Sequence, residues 1–182
     1  MKIKLLLLVL VLQSAWLLGT TFVQERALAT GKIILLKTRR VDPRDLLRGD
    51  YLILDYDISD VPMSRFSPPL QIEPPAGTKV FVALAPGANQ FYEVVRAGTN
   101  EFLPATNEIV LRGRSEWNRW GRTNSVHLAY GIERYYVAEG NGNPTGELTA
   151  HAVVPASGWA SLKQVFVDGK PYAEAMKDRP GR

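Results

Sequence analysis

"VDPRDLLRGDYLILDYDIS", residues 41–59, gathers five aspartates, two arginines, one glycine and two tyrosines around a short apolar run. Its first half has the grammar of a helix start. Asp42 can cap, Pro43 suits the first helical position, and Asp45 falls where a capping-box carboxylate sits. Gly49 then supplies a residue that tolerates a left-handed ending. From Tyr51 the period changes to two. Leu52, Leu54, Tyr56 and Ile58 share one face; Tyr51, Ile53, Asp55 and Asp57 share the other. The stretch is expected to be a turn feeding a half-buried strand, with Leu54 and Tyr56 inside and Asp55 and Asp57 on the wetter side. Asp50, at the glycine corner, can accept backbone N–H bonds.

The same period recurs along the chain. "GKIILLKTRR" begins a strand at Lys32. "TKVFVALAPG" alternates Val80, Val82 and Leu84 against Phe81 and Ala83. "QFYEVVRAG", "EIVLRGR", "SVHLAYG", "ELTAHAVV" and "SLKQVFVDG" repeat the pattern, the last ending at the tight-turn pair Asp168-Gly169. Short strands between Gly/Pro turns predict one mainly β domain, an antiparallel sandwich or barrel, over residues 31–182. The loop from Val61 to Gly77 holds five prolines, which bars it from a central strand or a helix interior. The polar tail after Tyr172 is expected to fray.

Ahead of this domain, residues 1–30 carry Lys2 and Lys4 and then an uncharged run from Leu5 to Val23. Roughly 19 residues at about 1.5 Å each span about 28 Å, close to the hydrocarbon thickness of a bilayer. A cleavage site at "ALA", Ala27 to Ala29, is the competing reading. Glu25 and Arg26 intervene, and the apolar run is longer than a signal peptide needs, so an uncleaved anchor is favoured. The lysines place the amino terminus inside and the body outside. Gln13, Ser14 and Gly19 within the span offer small and polar contacts to a neighbouring helix.

Composition narrows the chemistry. The 182 residues include no cysteine and two histidines, His127 and His151, with a net charge of +4 and 46% apolar residues. Thiol nucleophiles and cysteine-based metal sites are excluded, and neither a metal nor a cofactor is expected. Both histidines read as satisfied strand residues. The opening stretch does not fit a calcium loop. A catalytic reading would pair Asp50 with Asp55 or Asp57 as acid and base. No histidine, lysine or serine nearby supplies the nucleophile, and capping and turn roles account for the residues directly. Arg39, Arg40, Arg44 and Arg48 serve to neutralise the aspartates.

"GDYLILDY", Gly49 to Tyr56, matches the motif G-D-Y-x-x-L-x-Y and so resembles the GDYXXLXY proteins, bacterial membrane proteins of unknown function. "LATGKIILLKTRRVDPRDLLRGDY" and "YGIERYYVAEG" also look like segments of that family. The resemblance implies a single-pass protein of the inner membrane with its body on the periplasmic side, associated with a multi-spanning membrane protein. It points to Gly49, Asp50, Tyr51, Leu54 and Tyr56 as the motif, with Arg48 beside it as a binding candidate, and brings no known activity.

Two further clusters stand out. In "GIERYYVAEG", Glu133, Arg134 and Glu139 surround two tyrosines, on either a short helix or a strand. Arg134 is expected to pair with an aspartate of the opening stretch, or else to face a cleft with Glu139 and Asp50. "LRGRSEWNRWGR" interleaves Trp117 and Trp120 with Arg119 and Arg122, suiting a membrane interface or a protein contact, with core-packed tryptophans as the plainer alternative. Nucleic acid is not an expected partner, since no nucleic-acid motif accompanies the cluster. The sequence therefore predicts a membrane-anchored extracytoplasmic interaction module. A carboxylate-dependent hydrolase or ligand-processing domain centred on Asp50 is the alternative.

Overall fold

Residues Lys2–Thr30 form one uninterrupted helix, α1. Its leucines and valines point in all directions, and the large apolar side chains from Ile3 to Leu28 are exposed. A helix that is apolar all round and packs on nothing is suited to lipid. Over Ile3–Thr30, its 28 residues are long and apolar enough to cross a membrane. This is a computed structural model of the protein, and it describes residues 2–40, 51–117, 124–137, 144 and 146–177.

One residue after α1 the chain enters the β domain. Its strands are β1 (Lys32–Arg40), β2 (Tyr51–Tyr56), β3 (Asp60–Pro62), β4 (Lys79–Pro86), β5 (Tyr92–Gly98), β6 (Ile109–Glu116), β7 (Ser125–Ala129), β8 (Arg134–Tyr136), β9 (Leu148–Val154), β10 (Ser161–Val167) and β11 (Lys170–Pro171), followed by helix α2 (Tyr172–Lys177). They make two sheets, ordered β11-β10-β9-β1-β2-β8 and β3-β7-β6-β4-β5. The strand pairings within both sheets are antiparallel. The expected mainly β architecture is what the chain adopts.

The core lies between the sheets. Ile34 and Leu36 of β1, Leu52, Leu54 and Tyr56 of β2, Val80, Val82 and Leu84 of β4, Leu111 of β6 and Val126 and Leu128 of β7 form one buried cluster. Period-two patterning produces it directly in β2, β6 and β7, where inward and outward positions alternate. In β4 the alternation is lost, because Phe81 and Ala83 are buried as well. The Arg112 guanidinium lies 5.3 Å from the centre of the Phe81 ring and helps cover it. At Asp168 and Gly169 φ is 49° and 79°, the left-handed pair that a two-residue hairpin needs between β10 and β11.

Two expectations change. Ile58 is buried as its face requires, yet it sits in a 3-10 turn, Asp57–Ser59, because the strand ends at Tyr56. The stretch after Tyr172 does not begin by fraying: α2 docks Tyr172 and Met176 into the core through Lys177. The Tyr172 ring packs edge-on against Tyr135 at 5.4 Å, a contact that polarity alone does not suggest. The proline-rich loop behaves as expected, contributing only the edge strand β3 and a 3-10 turn at Met63–Arg65. The predicted helix start at Asp42–Gly49 lies outside the described residues.

The two sheets share a direction. A groove lined by Thr30, Lys32, Val154 and Pro155 together with Ile109, Val110 and Arg112 sets the start of β6 beside the start of β1. At its other end, β6 shares a cleft with Tyr51 and Asp55 of β2. Both β1 and β6 therefore run away from α1. Nine residues of β1 cover roughly 26 Å, which separates a helix-proximal end of the domain from a distal one.

Candidate functional site

The motif strand β2 lies between β1 and β8, so the two segments singled out by sequence are direct neighbours. Tyr51 pairs with Tyr136, Leu52 with Tyr135 and Ile53 with Arg134. The alternative left open for "GIERYYVAEG" resolves as a strand over Arg134–Tyr136.

On the inner side, two tyrosines tie together the two connections that pass between the sheets, β2 to β3 and β7 to β8. The Tyr56 hydroxyl donates to the Ile132 carbonyl at 2.6 Å, and the Tyr130 hydroxyl donates to the Ile58 carbonyl at 2.7 Å. Both rings are buried. Glu133 closes the corner. Its carboxylate accepts the backbone N–H groups of Tyr130 and of Gly131, and its carbonyl accepts the Leu54 N–H at 2.7 Å. Gly131 has a φ of 82°, the conformation that folds the segment back onto that carboxylate. Burial pushes both phenol pKa values up, and the nearby Glu133 charge adds to the effect. Gly113 belongs to the same corner, since a Cβ there would meet the Tyr130 ring at 3.0 Å.

Beside this corner sits a charge hub. Arg39, on β1, reaches Asp57 at 3.3 Å, Asp55 at 3.7 Å and Asp60 at 2.6 Å, and donates to the Tyr56 carbonyl at 2.7 Å. Asp60 in turn holds His127 Nδ1 at 2.8 Å. The aspartates of the motif strand are thus neutralised by Arg39. Among the described residues Arg134 pairs with none of these aspartates: it is exposed, and its guanidinium stands 5.8 Å from the centre of the Tyr51 ring. The reason is register. Arg134 is opposite Ile53 on β8, while Arg39 is opposite Asp55 on β1.

The outward positions of four strands build a cleft of about 790 Å³. β2 contributes Tyr51, Ile53 and Asp55; β8 contributes Arg134 and Tyr136; β6 gives Arg114 and Glu116, and β7 gives His127 and Ala129. Trp117 and Trp159 complete the rim. The lining is aromatic and of mixed charge. Trp117 is 81% exposed and Tyr136 74%, values that rule out a core-packing role for either ring. Tyr51 and Tyr136 lie with ring centres 6.2 Å apart.

Of the predicted residues, Tyr51, Glu133, Arg134 and Trp117 meet at this cleft. Leu54 and Tyr56 belong to the corner behind it, although Leu54 also touches the cleft wall. Arg48, Gly49, Asp50, Glu139, Arg119, Trp120 and Arg122 lie outside the described residues. Both histidines are partnered, as expected. His127 is held by Asp60, and His151 packs against Phe166 with ring centres 4.4 Å apart and the rings tilted by 49°. Among the described residues no three carboxylate or histidine side chains form a metal-binding group. Sequence reasoning missed Tyr130 and the Asp60–His127 pair. The repeated pattern of a tyrosine two residues before an isoleucine, at Tyr56 and Ile58 and again at Tyr130 and Ile132, is the one local sign of the reciprocal ties.

A helix-led domain of two antiparallel sheets, tied at one corner by buried tyrosines whose strand also walls an open cleft, defines the class. The chain belongs to the GDYXXLXY protein family, whose sequence model matches residues 13–169. No curated protein and no solved structure matches it.

Proposed function

We propose that this protein is a membrane-anchored extracytoplasmic interaction module that recognises a partner through the cleft between β2, β8, β6 and β7. One observation carries the reading: the motif strand is two-sided. Its inward residues, Leu54 and Tyr56, are committed to the core. Its outward residue Tyr51 lies among the aromatic and charged groups of the cleft, of which Arg134, Tyr136 and Trp117 are exposed. Exposed tryptophan, tyrosine and arginine gathered in one depression are the composition of protein-contact hot spots. The partner is a multi-spanning protein of the same membrane, with the body on the periplasmic side of a bacterial inner membrane and α1 as a single span. Lys2 and Lys4 support that orientation. Trp117, at the distal end of β6, is directed at the partner's outer loops.

The test is affinity purification from detergent-solubilised membranes, comparing wild type with Arg134→Glu and with Trp117→Ala. Each variant should keep its melting temperature and its place in the membrane while losing a multi-spanning partner that wild type retains. An unchanged set of partners in both variants sinks the reading.

A second reading has a specific observation of its own. His127 is oriented through Nδ1 by Asp60 and lines the cleft, an arrangement that suits a general base. The ligand-processing alternative therefore rests better on His127 than on Asp50. If His127→Gln leaves partner binding intact but accumulates an unprocessed ligand, this second reading replaces the first.

A further inference from the structure

At the helix-proximal end of the domain lies a second groove of about 540 Å³, separate from the cleft and lined mainly by apolar groups. Thr30, the last residue of α1, is part of its wall, as are Phe102, Leu103 and Pro104. Leu103 is 87% exposed. Leu28 and Ile33, on either side of the helix–strand junction, are also exposed. Three large apolar side chains left in the open around one junction are not explained by core packing.

The loop that presents Leu103 is rigidly braced. Arg96 bonds Glu108 at 2.9 Å and the Leu103 carbonyl at 3.0 Å, and its guanidinium lies 4.3 Å from the centre of the Phe102 ring. Glu108 also accepts the Ala105 N–H at 2.8 Å, and Arg112 pairs with Glu101 at 2.6 Å. The arginine and the backbone bond hold the Glu108 carboxyl below its usual range. An apolar tip is thus kept out of the core by polar ties on both of its flanks.

Length says what meets that tip. The 28 residues of Ile3–Thr30, at about 1.5 Å each, measure roughly 42 Å, the thickness of a bilayer including its headgroup layers. If α1 spans the membrane, Thr30 comes out at the headgroup surface, and the groove beside it lies in that layer. Lys32 and Arg26, both exposed, flank the junction with positive charge suited to lipid phosphate.

We infer that the 99–108 loop and its groove form a lipid-contacting surface. Leu103 enters the headgroup–acyl boundary of the outer leaflet, with lipid as the occupant of the groove. This inference rests on the proposed membrane anchoring, and the experiment must separate the two.

The absence of cysteine makes every introduced thiol unique. In the full chain reconstituted into phosphatidylcholine/phosphatidylglycerol vesicles, Val9→Cys, Leu103→Cys and Trp117→Cys are each labelled with an environment-sensitive nitrobenzoxadiazole dye. Quenching is then measured with lipids carrying a nitroxide near the glycerol backbone or mid-chain. The expected result is strong quenching at 9 by mid-chain nitroxide, strong quenching at 103 by the shallow nitroxide, and none at 117. Quenching at 9 with none at 103 overturns the lipid contact while anchoring stands. No quenching at 9 removes the anchoring and the inference together. A blue-shifted but unquenched dye at 103 assigns the groove to protein, a second copy or a membrane partner, and also overturns the proposal.

Discussion

Tyr51 and Tyr56 stand five residues apart on one strand and lead opposite lives. Tyr56 is fully buried, and its hydroxyl ties β2 to the segment before β8. Tyr51 is half-exposed, faces the cleft and meets Arg134 and Tyr136. An odd spacing on a pleated strand forces this split, since residues an odd number apart point to opposite faces. A motif containing both tyrosines therefore couples a structural demand to a surface one. The corner behind the strand and the cleft in front of it ought to respond to substitution in different currencies: stability for the first, binding for the second.

The largest effect is expected at the corner. Tyr56→Ala or Tyr130→Ala should each cost about 3–5 kcal/mol, as large buried truncations do. Thermal and urea melts of the purified domain measure this, and a cost under about 1 kcal/mol breaks the distinction between the two regions. Filling the corner is expected to be milder. Gly113→Val puts a side chain against the Tyr130 ring, and overpacking of this kind costs about 1–3 kcal/mol.

Alkaline pH offers a sharper comparison. The Tyr56 and Tyr130 phenols have raised pKa values, so in the folded state they hold their protons beyond the ordinary value of about 10. The unfolded chain releases those protons first. The stability linked to them is complete below about pH 10 and is lost as pH rises above it. Tyr56→Phe and Tyr130→Phe should each flatten the alkaline fall in melting temperature. An alkaline fall left unchanged in both variants would erase the contrast.

The smallest effect on stability belongs to the cleft. Arg134→Glu and Trp117→Ala should change stability by no more than about 0.5 kcal/mol, the usual range for exposed sites, while partner recovery falls. Exchanging residues 5–23 for an unrelated leucine-rich span tests the remaining contribution, that of Gln13, Ser14 and Gly19. The same partners are expected at lower yield, and full recovery would assign recognition to the body alone.

Sequence periodicity made the strands and the inner face of β2 legible, because one buried face writes itself as alternation. Alternation alone places Leu52, Leu54 and Tyr56 on the buried face. The split of roles between Arg39 and Arg134 was not legible, since it depends on which strands flank β2. Nothing local in "KTRR" or "IERYY" specifies that β1 meets Asp55 and β8 meets Ile53. Tyr130 was missed for a related reason. Its tie to Ile58 joins residues far apart in the chain, and only the crossing of two sheets brings them within a hydrogen bond. The docking of Tyr172 and Met176 was hidden because a helix of six residues offers too few positions for a period to show.

The strand that continues from α1 is not at the margin of its sheet. β1 has β9 on one side, from Lys32 to Lys37, and β2 on the other, from Thr38 to Arg40. Hydrogen bonds between antiparallel strands run perpendicular to the strands. A pull on the domain against its tether acts along β1 and loads those bonds together in shear, where an edge strand would be peeled away one bond at a time. The domain is thus built to bear tension at its junction with α1, where a pull is shared across the bonds of β1 on both sides.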